Sequence, residues 1–201
     1  MLSLNELLAA ASKHIEDGSI EDALILCRQA LSRAPRSVRV LKTYGACLMA
    51  SGDMQGASAS FAAALQIEPD DAAASHDFGL TQHALGNVEA ARLSFERALT
   101  LAPKNAATHE ALAAILAEEG DLDGAIRHML IAIDLKPSDA STLANFASVL
   151  TRVGAMYDAR AHFERALELD PDNAGVIIPL AHILHELGEH NEAVALVEKP
   201  I

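Results

Sequence analysis

Residues 78–103 read FGLTQHALGNVEAARLSFERALTLAP. Apolar segments flank Gly86-Asn87, and Pro103 closes the second of them. In that segment Ala91, Phe95 and Ala98 follow one another at intervals of four and three, which sets small, large and small side chains on one helical face. Glycine takes the left-handed conformation that ends a helix, the polar residue after it can cap the next helix, and proline cannot continue one. The stretch is therefore a helix, a tight turn, a second helix and a stop.

The unit recurs along the chain. Pro35, Pro69, Pro103, Pro137 and Pro171 stand at a constant interval of 34, and Gly18, Gly52, Gly86, Gly120, Gly154 and Gly188 keep the same interval midway between them. Asp53, Asn87 and Asp121 are placed to cap the second helices, and Asp70, Asn105, Ser138 and Asn173 to cap the following first helices. A small column on the first helix reads Ala11, Gly45, Gly79, Ala113, Ala147 and Ala181; one on the second is alanine throughout, from Ala23 to Ala193. Bulky residues alternate with them: Tyr44, Phe78, Leu112, Phe146 and Leu180 on the first helix, Phe61, Phe95, Met129 and Phe163 on the second.

This pattern resembles the tetratricopeptide repeat, whose motif runs large, large-small, large, then Ala, aromatic, Ala and Pro, over almost the whole chain. The resemblance implies an all-α fold, a right-handed superhelical solenoid of antiparallel helix pairs with the first helices lining a concave side. One domain over residues 1–201 is expected, with repeats at approximately 4–37, 38–71, 72–105, 106–139, 140–173 and 174–201, the last shortened. A single pair cannot bury its apolar face, so stability is shared between each repeat and its neighbours.

Composition narrows the function. A net charge of −13, with no run of Lys and Arg and no Trp, argues against nucleic acid as a partner. No apolar run approaches the ~20 residues that cross a bilayer, so membrane insertion is not expected. Cys27 and Cys47 are the only cysteines, and the start of the chain lacks a signal core; both point to a reducing, cytoplasmic location. Cys27 fills the bulky column of the first repeat, which makes it a packing residue. There is no nucleophile elbow, phosphate loop or paired-cysteine motif, so the chain is not expected to be an enzyme or to carry a cofactor.

Several positions depart from the pattern. Ala10 and His14 replace bulkier residues in the first repeat, as suits a terminal unit, and Gln82 takes a place that is Leu48, Leu116, Leu150 and Leu184 elsewhere. An unpaired buried amide there would cost about 1–3 kcal/mol, so Gln82 needs a partner. Pro179 falls inside a first helix, where it removes a backbone bond and should kink the terminal repeat. Pro200 ends the sixth repeat early, which leaves an apolar edge at Leu196 and Val197 and suggests self-association there or a longer parent chain.

The face of the first helices turned from the packing stripe carries the candidate binding residues: Arg39, Lys42, Met49, His76, His83, Glu110, Asn145, Ser148, Arg152 and His182. Over the whole face Arg39, Lys42 and Arg152 stand against Glu16, Glu110, Glu118 and Glu186, so its charges nearly cancel, and its lining is rich in Ala and Ser, so an extended peptide or a helix can lie on it. His182 and His185, with Glu186 and Glu189 near, fall short of the three or four fixed ligands zinc wants, so no metal is expected. In this family a clamp of cations and asparagines holds acidic chaperone tails; here Arg39 and Lys42 are followed by His76, Asp77 and His83, and the clamp is not reproduced. An asparagine ladder, used by some sugar-transferring enzymes, would need the column Ala9, Thr43, Asp77, Ala111, Asn145 and Pro179, of which Asn145 alone fits. The expected function is a scaffold that binds a protein or peptide partner in the concave groove. The alternatives are the substrate-recruiting arm of a larger transferase or hydroxylase, and a homo-oligomer built through the C-terminal edge.

Overall fold

A computed structural model of the chain describes residues 2–198, in which twelve α-helices follow one another without a strand. They fall into two compact units divided after Pro103. The first holds α1 (Leu4–Glu16), α2 (Ile20–Arg33), α3 (Val38–Ala50), α4 (Met54–Ile67), α5 (Ala72–Ala84) and α6 (Val88–Leu101). The second holds α7 (Ala106–Glu119), α8 (Leu122–Leu135), α9 (Ala140–Arg152), α10 (Met156–Leu169), α11 (Ala174–Glu186) and α12 (His190–Val197). Odd-numbered helices are the first and even-numbered helices the second members of their pairs. Lys199, Pro200 and Ile201, on which the expectation of an early stop rests, lie outside the described residues.

The turns inside the pairs are all alike. Each of the six repeat glycines has a positive φ, from 75° at Gly18 to 88° at Gly120. The N–H of each glycine donates to the carbonyl three residues back, and the N–H of the next residue donates five back, as Gly52 does to Met49 and Asp53 to Leu48. That double bond closes the open carbonyls of the helix end, and only glycine adopts the conformation without a penalty.

The caps only partly follow the sequence reading. Asp53 and Asp121 accept from the N–H groups of Gly56 and Gly124, and Asn105 and Asn173 cap α7 and α11. Asn87 makes no cap bond, because its amide is turned to Gln82. At α5 and α9 the caps are Asp71 and Asp139; Asp70 and Ser138 stand one residue too early, in the exposed proline turn. At α1, Ser3 and Glu6 form a reciprocal capping box. α11 runs unbroken through Pro179.

Packing follows the columns. Ala23, Ala57, Ala91, Ala125 and Ala159 are wholly buried, as are Phe61 and Phe95, with Phe163 and Met129 nearly so. The alanines bring the two helices of a pair close enough for these rings to lie against the facing backbone. Successive first helices also touch, α1 with α3 and α3 with α5 in the first unit, α7 with α9 and α9 with α11 in the second. Arginines of the second helices reach back to the preceding proline turns, Arg97 to the Pro69 carbonyl at 2.8 Å and Arg165 to that of Pro137 at 3.4 Å.

Candidate functional site

The candidate residues lie on the first helices, all but Met49 polar, and five of the ten, Arg39, Lys42, Glu110, Asn145 and Arg152, are bonded to the neighbouring first helix or its cap. In the first unit the Arg39 guanidinium donates to Asn5 on α1, and the Lys42 ammonium stands 2.7 Å from Asp71, the cap of α5. Burial works against ionisation of Asp71, but hydrogen bonds from Lys42 and from the Ala74 N–H outweigh it and hold the carboxyl below its ordinary range. Asp77, nearly two turns further along α5, is pushed up by burial and by the charge of Asp71, with Lys42 opposing. The two cations are thus committed to joining α1, α3 and α5, not standing apart as bare charges.

His76 packs its ring on Phe95 at a centroid distance of 5.6 Å, and burial lowers its pKa. Met49 and His83 are half-buried, Met49 against the core around Leu48 and Phe61. Gln82 has the partners it needs: its Nε2 donates to the Ser58 hydroxyl at 2.6 Å and its Oε1 accepts from Asn87 at 2.9 Å.

In the second unit Glu110 on α7 accepts from two residues of α9, the Thr142 hydroxyl at 2.8 Å and the Asn145 amide at 3.0 Å. Arg152 on α9 donates back to the Ala117 carbonyl of α7. Ser148 is exposed and bonds its own helix at the Ala144 carbonyl, and His182 is exposed on α11. At the far end Val197 is exposed, whereas Leu196 is half-buried on the core of its unit. Val197 lines a cavity of about 570 Å³ with Ala181, His185, His190, Ala193, Val194 and Glu198.

Sequence reading missed the partners: Asn5, Asp71 and Thr142. A signal was available, since Asn5 and Arg39 are 34 residues apart and Glu110 and Asn145 are 35 apart, so a polar pair one repeat apart on first helices is a pair of neighbours. It also missed His109, buried on α7 with its Nδ1 2.8 Å from that of His128 on α8, and the contact of Cys27 with Cys47.

Models of the tetratricopeptide repeat match residues 14–77 and 151–200, and a second such model matches 76–140. The chain belongs to the tetratricopeptide repeat family. Comparison with curated proteins finds no match. Among solved structures, the fold is similar to TTC0263, a thermophilic tetratricopeptide repeat protein of Thermus thermophilus, at 19% identity, over 91% of this chain and 100% of that one, with a TM-score of 0.78. It is similar to pilF of Pseudomonas aeruginosa at 16% identity, over 96% and 87% of the two chains, with a TM-score of 0.82. It is also similar to YrrB, described as a tetratricopeptide repeat protein with an unusual peptide-binding site, at 18% identity, over 86% and 89%, with a TM-score of 0.67.

Repeat arrays of this family are in general protein-interaction scaffolds, and this chain has the architecture of one. Among the described residues no helix is long and apolar enough to cross a membrane.

Proposed function

We propose that this tetratricopeptide repeat chain holds a peptide or helix of a partner protein along the exposed face of its first helices. The observation that carries the reading is the Glu110–Asn145 bond. Glu110 takes the amide Nδ2, which pins an exposed side chain whose Oδ1 can accept from a peptide N–H. A side chain held in place before binding loses less entropy when it is used. Arg39 and Lys42 offer the same kind of fixed edge in the first unit. Beside them small residues such as Ala46 and Ala144 leave room for a guest chain. The fold carries a peptide-binding site in YrrB, which agrees with this use.

The test is a peptide selected from a displayed random library and titrated against the purified chain. Asn145→Ala and Ser148→Trp should weaken a peptide that occupies the second unit about tenfold or more, as should Arg39→Glu with Lys42→Glu for one in the first. Leu130→Ala, on the exposed face of α8, should leave affinity unchanged. Peptides indifferent to all the first-helix variants would reject the reading.

The apolar end supports a second reading, self-association. Val194 and Val197 are 53% and 59% exposed on α12 beside the cavity that His185 and His190 line. Sedimentation velocity over a concentration series should then show an oligomer that Val194→Glu with Val197→Glu dissolves; a monomer at every concentration excludes it.

A further inference from the structure

Cys27 and Cys47 lie 20 residues apart in sequence, on α2 and α3, yet their Sγ atoms stand 3.1 Å apart in a site with no solvent exposure. Their neighbours are apolar: Ala11, Ala23, Leu24 and Tyr44. In the repeat columns Cys27 takes the place of Phe61, Phe95, Met129 and Phe163, and Cys47 that of Thr81, Ile115, Val149 and Ile183. At this junction, between the first helix pair and the second, two thiols meet where other repeats meet with packing side chains. Both are reduced. Closing the bond asks the sulfurs to approach by roughly 1 Å, to the ~2.05 Å of a disulfide.

We propose that Cys27 and Cys47 are a modification site, an intrachain dithiol that a low-molecular-weight disulfide such as glutathione disulfide converts to a disulfide, stapling the first helix pair to the second. In the closed site burial disfavours the thiolate at both sulfurs. Once the site opens either thiol can react first, and the exchange has the same balance whether it begins at Cys27 or at Cys47. Where it begins at Cys47, the thiolate attacks one sulfur of glutathione disulfide, forming a mixed disulfide and releasing one glutathione thiolate. Cys27 then gives up its proton to solvent, and its thiolate attacks the Cys47 Sγ and expels the second glutathione thiolate. Two protein thiols and one glutathione disulfide become one protein disulfide and two glutathione molecules; the protein is oxidised by two electrons and glutathione disulfide is reduced by two.

Access comes from local opening. α1 and α2 meet the rest of their unit chiefly through α3, so they can part from it without unfolding the repeats beyond. Opening bares both sulfurs at once, and the cross-link, once formed, opposes the next opening.

The experiment equilibrates the purified chain across a series of reduced-to-oxidised glutathione ratios, traps remaining thiols by alkylation in denaturant and records intact mass. Oxidising ratios should give a monomer that has lost two hydrogens and takes up no alkylating agent, and dithiothreitol should restore both thiols. Cys27→Ser and Cys47→Ser should each abolish this species. Amides of α1 and α2 should exchange with solvent roughly tenfold or more slowly in the oxidised chain. A wild-type chain that keeps both thiols at every ratio, or accumulates only glutathione adducts or interchain dimers, overturns the proposal. Unchanged exchange in α1 and α2 after cross-linking overturns the staple.

Discussion

The ring of Phe61 rests on the backbone of Gly45: a Cβ at Gly45 would stand 2.7 Å from the ring's Cζ. The same contact recurs one repeat later, where a Cβ at Gly79 would stand 2.6 Å from Cε1 of Phe95. Alanine would add about 1 kcal/mol of helix propensity at either place. Overpacking a close-fitted core costs about 1–3 kcal/mol. Gly45→Ala is therefore expected to lower the urea midpoint, and Phe61→Leu in the same chain to recover part of the loss. A midpoint that rises in the single variant would show that the ring moves aside freely.

Ser58 and Gln82 form a second dependent pair. Ser58→Ala leaves the buried Nε2 of Gln82 without its acceptor, at an expected cost of about 1–3 kcal/mol. Adding Gln82→Leu should recover most of that, since leucine fills the column in the second, fourth, fifth and sixth repeats and the change frees Asn87 to cap α6. Denaturant unfolding of the two single variants and the double variant decides it; additive losses would mean that Gln82 and Ser58 act independently.

Asp71 and Asp77 should pull the acid limb of stability in opposite directions. The folded-state pKa of Asp71 is lowered, so its contribution is fully present above the unfolded value of about 3.9 and is lost as pH falls through the folded value. Asp71→Asn keeps a competent cap but loses the ion pair with Lys42, and should flatten stability against pH below about 4. The pKa of Asp77 is raised, so folding is weakened as pH climbs from that same unfolded value through the folded one. Asp77→Asn should raise thermal stability at neutral pH and change little in acid. A pH profile of melting temperature that is identical for wild type and both variants would refute the assignment.

Much of the fold is legible in the sequence. Every Gly-based helix stop and every buried alanine column lay where periodicity placed it, because these are local demands: a left-handed residue at a helix end, a small side chain where helices touch. The caps were legible to within one residue, except Asn87, which makes no cap bond. Asp71 and Asp139 took the role read for Asp70 and Ser138, since two polar residues side by side after a proline turn satisfy the same pattern. For the candidate site the column was readable and the bonding was not. Arg39 and Lys42 were visible on the exposed stripe, but Asn5 and Asp71 were not visible as their partners.

The sequence by itself determined the repeat length, the helix pairs and the positions each repeat buries, because one short pattern repeats and each copy has the same local reasons to fold. The tertiary structure alone decided which side chains meet across successive pairs: Lys42 with Asp71, Glu110 with Asn145, Gln82 with Ser58 and Cys27 with Cys47. Those meetings depend on how one pair stacks on the next and on which rotamer each side chain adopts there. Spacing along a chain assigns a residue to a face, and only packing assigns it a partner.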